Sequence, residues 1–351
     1  MSDKCYILIL NWNGWQNTIE CLESVFRLQH PDFQVVVCDN DSANGSLDYI
    51  AQWAEGRLAV DASAVNRGLA HLVIPPVNKP LPFVVYDRKQ AENGGGMDAD
   101  QGKLIFIQNG DNLGFAGGNN VGLRYIIRRG DYSHVWLLNN DTLVDPGALG
   151  AMVRRVAEKM EYGICGSTLM HYHDPGQIQA LGGATYSRLL ARPQLFAPAL
   201  AAGETLAPED VERRIDYVHG ASMLVTRSWI ENAGLMSEDY FLYFEELDWI
   251  RMAKGKFMIA YAESSVVYHK SGESIGTSSD IKNRSYVCDY YFTRNRLLFT
   301  RKYYPLFTPV VCLVLLSDLF RRILRGQPDR ARMIASLLWG KNDRGGGRDK
   351  R

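Results

Sequence analysis

The residues Cys5-Tyr-Ile-Leu-Ile-Leu10, followed at once by Asn11-Trp-Asn13, form an apolar, β-prone run that ends in polar side chains. Such an unbroken run is typical of a strand buried on both faces of a parallel sheet. Apolar residues at helical spacing follow over 18–28, and a second apolar run, Phe33–Cys38, leads into Asp39-Asn40. Strand, helix and strand in this order predict a βαβ unit, and therefore an α/β fold.

A third apolar run ends in polar residues in the same way. Val135–Leu138 leads into Asn139-Asn140-Asp141, and Asp145-Pro146 then opens a predicted helix. In open α/β sheets ligands bind at the carboxyl ends of the strands. We therefore expect the polar residues that follow the three strands to surround one ligand site.

The composition limits the kinds of partner. The chain has 351 residues, 46% of them hydrophobic, with 39 basic and 39 acidic side chains. A net charge of zero provides no long-range field to attract a nucleic acid, so we expect no such partner. The six cysteines show no CxxC pair, and the first apolar run is too short for a signal peptide. These features predict reduced cysteines and a cytoplasmic protein.

The same patterns divide the chain into three parts. Residues 1–272 carry the strand and helix patterns, interrupted at about 56–102 by turn residues that we interpret as an insertion. Its Gly94-Gly95-Gly96 lacks the flanking strand and Lys-Ser/Thr of a phosphate-binding loop, and predicts a flexible surface loop. Residues 273–340 predict a helical region, and the charged, glycine-rich 341–351 predicts a disordered tail.

Within the helical region, Leu306–Phe320 is largely apolar and is flanked by arginines on both sides. It is shorter than the about 20 apolar residues of a membrane-spanning helix. Basic flanks around a short apolar helix suit the headgroups of an anionic membrane, which predicts peripheral contact at the inner face of the membrane. A core helix or a homodimer contact explains the same pattern, and these interpretations stay open.

Three carboxylates follow an aromatic run in Phe241-Leu-Tyr-Phe-Glu245-Glu246-Leu-Asp248. Burying a carboxylate beside aromatic side chains costs free energy unless it is paired, so acids at these positions suggest a function. One of them is a candidate general base. The alternative is a helix N-terminus carrying acids that the helix dipole favours.

Candidate ligands for a cation follow two predicted strands. Asn139-Asn140-Asp141 offers hard oxygen ligands and leaves room for phosphate oxygens. His269 ends the run Val266-Val-Tyr and offers an imidazole to the same ion. Taken alone, an Asx cluster after a strand is usually a turn with a helix cap, and a single histidine is usually not a ligand.

Seven ordered blocks closely resemble family 2 glycosyltransferases of the rhamnosyltransferase-like branch, over about Lys4–Gly272. The blocks are Ile9–Asn13, Val37–Ser42, Asn112–Asn120, Leu137–Asp141, His219–Leu224, Phe241–Asp248 and Tyr268-His269. The resemblance implies a GT-A type nucleotide-diphospho-sugar transferase fold, a Rossmann-like mixed sheet flanked by helices, here with a C-terminal helical segment. It also implies a divalent cation, Mg²⁺ or Mn²⁺.

The resemblance further implies which positions hold the nucleotide and the metal. Four polar residues are expected around the base and ribose: Asn11, Asn13, Asp39 and Asn112. Three residues are expected against the diphosphate: Gly117, Gly118 and Asn119. The family's DxD motif corresponds to Asn139, Asn140 and Asp141, with Asp141 and His269 as direct metal ligands, Asn139 beside them and Asn140 on the nucleotide. Many relatives have Asp where this chain has Asn139, which weakens charge compensation of the metal.

Glu246 matches the carboxylate that acts as catalytic base in the family, although relatives usually carry Asp there, and Glu245 is the alternative base. His219, Gly220 and Asp248 are expected on the acceptor side. The implied reaction is inverting transfer of a sugar from deoxythymidine diphosphate rhamnose or a uridine diphosphate sugar to a saccharide or lipid-linked saccharide acceptor. Its implied setting is the synthesis of cell-surface polysaccharide or O-antigen.

Three other classes of protein fit the sequence less well. A glycoside hydrolase uses paired carboxylates but does not need polar strand ends that hold a nucleotide. A Rossmann dehydrogenase places a GxGxxG turn after its first strand, whereas this chain has Gly14 as the single glycine there. A non-catalytic nucleotide-sugar or carbohydrate-binding module is favoured only by the departures from the family at Asn139 and Glu246.

Overall fold

The computed structural model describes residues 4–96, 102–198, 206–253, 255–271 and 285–340. The predicted tail 341–351 lies outside these ranges. The strands are β1 (Cys5–Asn11), β2 (Phe33–Asp39), β3 (Phe83–Asp87), β4 (Leu104–Gln108), β5 (His134–Asn139), β6 (Thr142–Val144), β7 (Tyr162–His171), β8 (Ile178–Leu181), β9 (Gly183–Ser187), β10 (Arg192–Leu195), β11 (Tyr217–Val218), β12 (Ser222–Thr226) and β13 (Met258–His269). The helices are α1 (Trp15–Val25), α2 (Ser46–Ala54), α3 (Arg88–Glu92), α4 (Gly114–Arg129), α5 (Ala148–Ala157), α6 (Pro208–Glu212), α7 (Arg227–Ala233), α8 (Glu245–Met252), α9 (Tyr286–Tyr303), α10 (Thr308–Leu324) and α11 (Pro328–Leu338).

The main sheet is mixed, and its strand order in the described part of the chain is β3-β4-β2-β1-β5-β12-β7-β13-β6. The first five strands in this order run parallel, β12 is antiparallel to both of its neighbours, and β13 is parallel to β7. β8 pairs with β7 outside this order, and β10, β9 and β11 form a small antiparallel sheet. A mixed sheet between helices is the α/β fold that the sequence predicts.

Alternating residues of the central strands point into two separate cores. In β1, Cys5, Ile7 and Ile9 face one core, while Tyr6 and Leu8 face the other. β2, β4 and β5 repeat this alternation, so that both faces of the parallel part are covered. Coverage of both faces explains why these strands read as unbroken apolar runs.

The predicted strand and helix runs form at their expected places. The run at residues 5–10 is β1, the run at 33–38 is β2 and the run at 135–138 is β5, each one or two residues longer than predicted. The helix expected over 18–28 starts three residues earlier, at Trp15, and ends at Val25. Register places the ends of β1, β2 and β5 side by side, with Asn11 opposite Asp39 and Leu10 opposite Asn139.

The segment 56–102, interpreted as an insertion, contributes to the main sheet. Its residues Phe83–Asp87 form β3, the edge strand parallel to β4, and α3 follows directly. Gly94 and Gly95 have positive φ, and the Gly96 N–H donates to the Tyr86 hydroxyl at 3.0 Å. Part of this segment is therefore a sheet edge, packed in the same layer as the predicted strands.

The C-terminal helices pack against the main domain. A third core joins residues of α9, α10 and α11, such as Phe299, Leu315 and Ile334, to Phe244 and Leu247 of the α8 region and to Tyr186 of the small sheet. None of the helices in the described ranges is both long enough and apolar enough to cross a lipid bilayer.

Candidate active site

The ends of β1 and β2 carry a closed network of polar side chains. The Asn11 amide donates to Asp39 Oδ2 at 2.6 Å, and Ser42 binds the same carboxylate through its hydroxyl at 2.7 Å and its backbone N–H at 2.9 Å. The backbone N–H of Asn13 donates to the Ser42 hydroxyl at 2.8 Å. Asn13 itself has φ of 53°, a left-handed conformation that Asn tolerates better than most residues. Three of the four residues predicted to surround the base and ribose thus lie together.

The fourth, Asn112, joins this edge through Asn40. The Asn40 amide donates to the Gly114 carbonyl at 2.9 Å and lies 3.4 Å from Asn112 Oδ1. Asn109, which follows β4, donates its amide to Asn40 Oδ1 at 2.7 Å. Its own Oδ1 is buried and has no hydrogen-bond partner in the described part of the chain.

Asn140 links the end of β5 to the same network. Its amide donates to the Thr18 hydroxyl at 3.0 Å and lies 3.4 Å from Asn11 Oδ1. Thr18 in turn donates to Asn11 Oδ1 at 2.8 Å. Asn140 is buried, and its contacts hold the end of β5 against α1 and β1.

Asp141 and His269 face each other across the end of the sheet. His269 Nε2 lies 3.3 Å from Asp141 Oδ1, and both side chains are almost fully buried. His269 Nδ1 lies 2.8 Å from Gln179 Oε1. Because a carboxamide oxygen only accepts, the ring proton of a neutral His269 lies on Nδ1, and Nε2 presents its lone pair to the carboxylate. A lone pair and a carboxylate oxygen this close fit a shared cation.

Asp141 and His269 form a pair of possible metal ligands and, in the part of the chain that the structure describes, do not belong to a larger cluster. Across the described ranges, no three His, Cys, Asp or Glu side chains come together as a metal site. Asn139 is half-buried at the end of β5, two residues before Asp141. An ion held by Asp141 and His269 would keep most of its coordination positions for phosphate oxygens and water.

His219 lies against His269, with ring centroids 5.7 Å apart. Burial first, and the neighbouring His269 second, lower the pKa of His219 to about 3, although Asp141 opposes the shift. The imidazole is therefore neutral at physiological pH. The Ala221 backbone N–H donates to His219 Nδ1 at 3.0 Å, which leaves the ring proton on Nε2.

Glu245 and Glu246 are the first two residues of α8 and lie close to the loop that carries His219. Glu246 is half-buried, and the Gly220 backbone N–H hydrogen-bonds its carboxylate. Burial raises the pKa of Glu246 to about 7, while hydrogen bonds from the backbone N–H groups of Glu246 and Gly220 oppose the shift. Glu245 is almost fully buried, and burial together with the charge of Glu246 raises its pKa strongly. Of the two, Glu246 is the carboxylate with access to a substrate.

Gly220 fits closely against Glu246. A methyl group at Gly220 would lie 2.3 Å from Glu246 Oε1, far inside any normal contact. The loop His219-Gly220 therefore connects the base candidate on one side with the pair His269–Asp141 on the other.

The turn before α8 is strained and is held by α9. Tyr243 and Phe244 have φ of 68° and 76°, which bulky residues rarely adopt. The buried amide of Asn295 donates to the carbonyls of Leu242 and Tyr243, each at 2.9 Å. The C-terminal helices thus fix the start of α8, where both glutamates lie.

Asp248 does not have the surroundings of an acceptor ligand. It is fully buried, accepts a hydrogen bond from the Tyr240 hydroxyl at 3.0 Å and pairs with Lys302 of α9 at 2.8 Å. These contacts tie α8 to α9. The acceptor-side position expected for Asp248 is therefore corrected to a structural one.

Gly117, Gly118 and Asn119 also differ from expectation. All three are buried within α4, and the Asn119 amide donates to the Phe115 carbonyl of the same helix at 3.0 Å. A methyl group at Gly118 would lie 2.5 Å from Leu10 Cδ1, so this glycine allows α4 to approach β1. The structure gives these residues a packing role in place of the expected contact with a diphosphate.

Sequence reasoning missed three residues of this site. Asn109 carried the same signal as its neighbours, since it follows an apolar strand. Gln179 and Asn295 carried none, because their partners His269 and the α8 turn are distant in sequence and meet them only in the folded chain.

The fold and the site together define a class of protein. A mannosyltransferase from Pyrobaculum calidifontis, solved with GDP-mannose and Mn²⁺, matches 97% of this chain and 88% of its own at TM-score 0.50 and 12% identity. The structure of GalNAc-T7 with UDP, GalNAc and Mn²⁺ matches 84% of this chain and 51% of its own at TM-score 0.50 and 11% identity. The chain therefore has the GT-A fold of nucleotide-sugar glycosyltransferases.

The sequence profiles identify the family. The profile of glycosyltransferase-like family 2 matches residues 97–287, more than half of the chain, and that of glycosyl transferase family 2 matches residues 6–72. The chain belongs to glycosyltransferase family 2. A curated relative, the low-salt glycan biosynthesis hexosyltransferase Agl10 of Haloferax volcanii, is 27% identical over 152 residues, which cover 43% of this chain and 46% of the relative.

Proposed function

We propose that the chain is a glycosyltransferase that moves a sugar from a nucleoside diphosphate to an acceptor hydroxyl, with inversion and with a divalent cation. The observation that carries this proposal is the arrangement around Gly220. On one side stands the half-buried Glu246, and on the other His219 lies against His269 and Asp141. In such a transfer a base removes the acceptor proton and a cation can stabilise the diphosphate leaving group, and the loop His219-Gly220 contacts the candidates for both roles.

Glu246 is the proposed base. With a pKa of about 7, its carboxylate is a stronger base than an exposed glutamate and is still largely ionised slightly above neutral pH. It takes the proton of the acceptor hydroxyl while that oxygen bonds to the anomeric carbon and the bond to the diphosphate breaks. One displacement inverts the configuration and needs no covalent enzyme intermediate, so a single base is sufficient.

Asp141 and His269 would hold Mg²⁺ or Mn²⁺, and Asn139, two residues before Asp141, is a further candidate ligand. When bound, the cation neutralises charge that develops on the diphosphate leaving group. The lone pair of His269 Nε2 and the Asp141 carboxylate, 3.3 Å apart, support this assignment. His219, neutral with its proton on Nε2, supplies a hydrogen-bond donor for the same leaving group.

The polar edge formed by Asn11, Asn13, Asp39 and Asn112 would receive the base and ribose of the donor. Ser42 and Asn11 fix the Asp39 carboxylate, so that it is preorganised to accept hydrogen bonds from a ribose or base. We propose deoxythymidine diphosphate rhamnose or a uridine diphosphate sugar as the donor, and a saccharide or lipid-linked saccharide of a surface polysaccharide as the acceptor. With the rhamnose donor, the activity would be that of a rhamnosyltransferase.

Release of nucleoside diphosphate from a panel of nucleotide sugars tests the proposal. Water can replace the acceptor hydroxyl, so donor hydrolysis should be measurable without the acceptor. We expect release from one donor with Mg²⁺ or Mn²⁺ and a large loss with chelator. Binding of a donor without turnover under any metal would instead support a non-catalytic nucleotide-sugar-binding module, for which the departures from the family at Asn139 and Glu246 are the main argument.

A further inference from the structure

A cleft of about 230 Å³ lies between α9, α10 and the β10 strand, among the C-terminal helices. Its walls are rich in arginine: Arg192, Arg296, Arg321, Arg322 and Arg325. Its acidic wall residues in the described chain are Asp289 and Asp318. The cleft therefore carries an excess of positive charge, unlike the chain as a whole, whose formal net charge is zero.

Each carboxylate of the cleft is shared between several guanidinium groups. Asp318 binds Arg192 at 2.7 Å and Arg296 at 3.0 Å, and Arg321 lies 3.5 Å away. Burial lowers the pKa of Arg296, and neighbouring Arg192 lowers it further, although Asp318 opposes the shift. The positive charges are thus only partly compensated within the fold.

The second carboxylate, Asp289, shows the same sharing. It binds Arg322 at 2.7 Å and Arg330 at 3.0 Å. Burial lowers the pKa of Arg322, and the nearby Arg330 and Arg325 contribute to the same shift. Arg325 is exposed, and within the described residues no carboxylate pairs with it. An anion entering the cleft would relieve repulsion between these cations.

An apolar stripe runs along α10 beside this cleft. Leu313, Phe320 and Leu324 are seven and four residues apart, so they lie on one face of the helix. Their exposed fractions are 65%, 63% and 86%. Arg321 lies one helical turn before Leu324, which places the mouth of the cleft at the edge of the α10 stripe.

We propose that the arginine cleft binds the phosphate group of an anionic lipid at a membrane surface, with the α10 stripe immersed at the boundary between headgroups and acyl chains. A partly compensated cluster of guanidinium groups is complementary to phosphate, and the apolar stripe next to it is complementary to the lipid chains. Two copies of this face would bring two positive clefts together, which disfavours self-association. The binding does not depend on the sugar transfer proposed above.

Sedimentation of the full chain with vesicles tests this proposal. We expect binding to phosphatidylcholine vesicles that contain phosphatidylglycerol, and much weaker binding to phosphatidylcholine alone. In the double variant Arg321→Gln/Arg325→Gln, affinity for the anionic vesicles should fall by about tenfold or more. The control is Arg57→Gln/Arg213→Gln, which removes the same charge from exposed arginines outside the cleft and should bind as the parent does.

A second variant tests the apolar part. Phe320→Ser/Leu324→Ser should weaken binding to the anionic vesicles while preserving its dependence on salt, because the arginines remain. Both altered pairs are exposed, so unfolding midpoints close to that of the parent are expected and should be measured alongside. Equal binding by the parent and both variants would overturn the proposal.

Two further outcomes would also overturn it. If inorganic phosphate at matched ionic strength stabilises the parent but not the arginine variant, and vesicles are not bound, the cleft serves a soluble phosphate. If sedimentation equilibrium shows a dimer that Leu324→Ser abolishes, and vesicles are not bound, the α10 stripe is a protein interface.

Discussion

Glu246 determines the pH dependence of the proposed reaction. Burial raises its pKa to about 7, and only the ionised form accepts the proton of the acceptor. We therefore expect kcat/KM to rise about tenfold per pH unit below about pH 7 and to level off above it. Release of nucleoside diphosphate at a series of pH values measures this profile. A rate that is flat between about pH 5 and 8 would show that another group acts as the base.

Gly220 controls the position of the same carboxylate. In Gly220→Ala the new methyl group would lie 2.3 Å from Glu246 Oε1, so the glutamate must move. A displacement of about 1 Å at a reacting group can cost about 100-fold in rate. We expect kcat to fall by about that factor, while donor affinity changes little.

The control for this variant is Gly234→Ala. Gly234 has a φ of 71°, and a methyl group there would meet no neighbour within 4 Å. It should therefore lose some stability and keep its kcat. Normal turnover by Gly220→Ala would mean that close packing of Gly220 does not position the Glu246 carboxylate.

For single residues, the sequence is informative where a candidate site residue lies at the end of a strand. Asn11, Asp39, Asp141 and His269 each follow or end an apolar run, and the structure brings them to one edge. Glycines are less informative, because a glycine is needed both where the backbone contacts a phosphate and where two elements of the fold pack closely together. Gly118 shows the second case, since it packs against Leu10 and Asn40.

At the scale of elements, β8 orients a proposed metal ligand of β13. Gln179 accepts the Nδ1 proton of His269 at 2.8 Å and so keeps Nε2 free. Losing such an outer partner typically costs about 10- to 100-fold in metal affinity or activity. We expect Gln179→Leu to raise the Mn²⁺ concentration needed for half-maximal activity by such a factor. Gln179→Glu retains an acceptor and should stay close to the parent, so equal losses in both variants would contradict this assignment.

The helix α9 holds the turn that positions α8. In Asn295→Ala the carbonyls of Leu242 and Tyr243 would lose their buried donor, at a cost of about 1–3 kcal/mol each. The strained conformation of Tyr243 and Phe244 would relax, so we expect lower stability together with a lower kcat. Denaturant unfolding and turnover measure the two effects.

Asn232→Ala is the matched control for this variant. Its amide also donates to a backbone carbonyl, that of Ser228 at 2.9 Å, but at an exposed position of α7. Such a change should cost less than about 0.5 kcal/mol and leave turnover intact. If Asn295→Ala is destabilised but turns over normally, α9 does not position the base.

The strands β1, β2 and β5, buried on both faces, could be predicted from the sequence, and the edge strand β3 could not. β1, β2 and β5 are unbroken apolar runs because helices cover both faces of the sheet. β3 was missed because it is a short edge strand, half-exposed and preceded by prolines. Its only strand neighbour in the described chain is β4. Edge strands lack the packing that imposes an apolar pattern.

At the scale of the whole molecule, the sequence indicates the α/β domain but not how the C-terminal helices join it. Besides the third hydrophobic core, the polar contacts that join them are single long-range pairs, such as Asp248 with Lys302 and Asn295 with the turn before α8. Neither pair has a sequence pattern, because the partners are about 50 residues apart. Through these contacts the C-terminal helices fix the position of α8, which carries the proposed base.

Glu246 is the proposed group that removes the acceptor proton in the sugar transfer. The most direct test compares nucleoside diphosphate release by the parent, Glu246→Gln and Glu245→Gln, with the exposed Glu263→Gln as control. Loss of a general base typically costs about 10²- to 10⁴-fold in rate. We expect a loss in this range for Glu246→Gln, a clearly smaller loss for Glu245→Gln and none for the control. Parent-like release by Glu246→Gln, or the larger loss in Glu245→Gln, would contradict this role of Glu246.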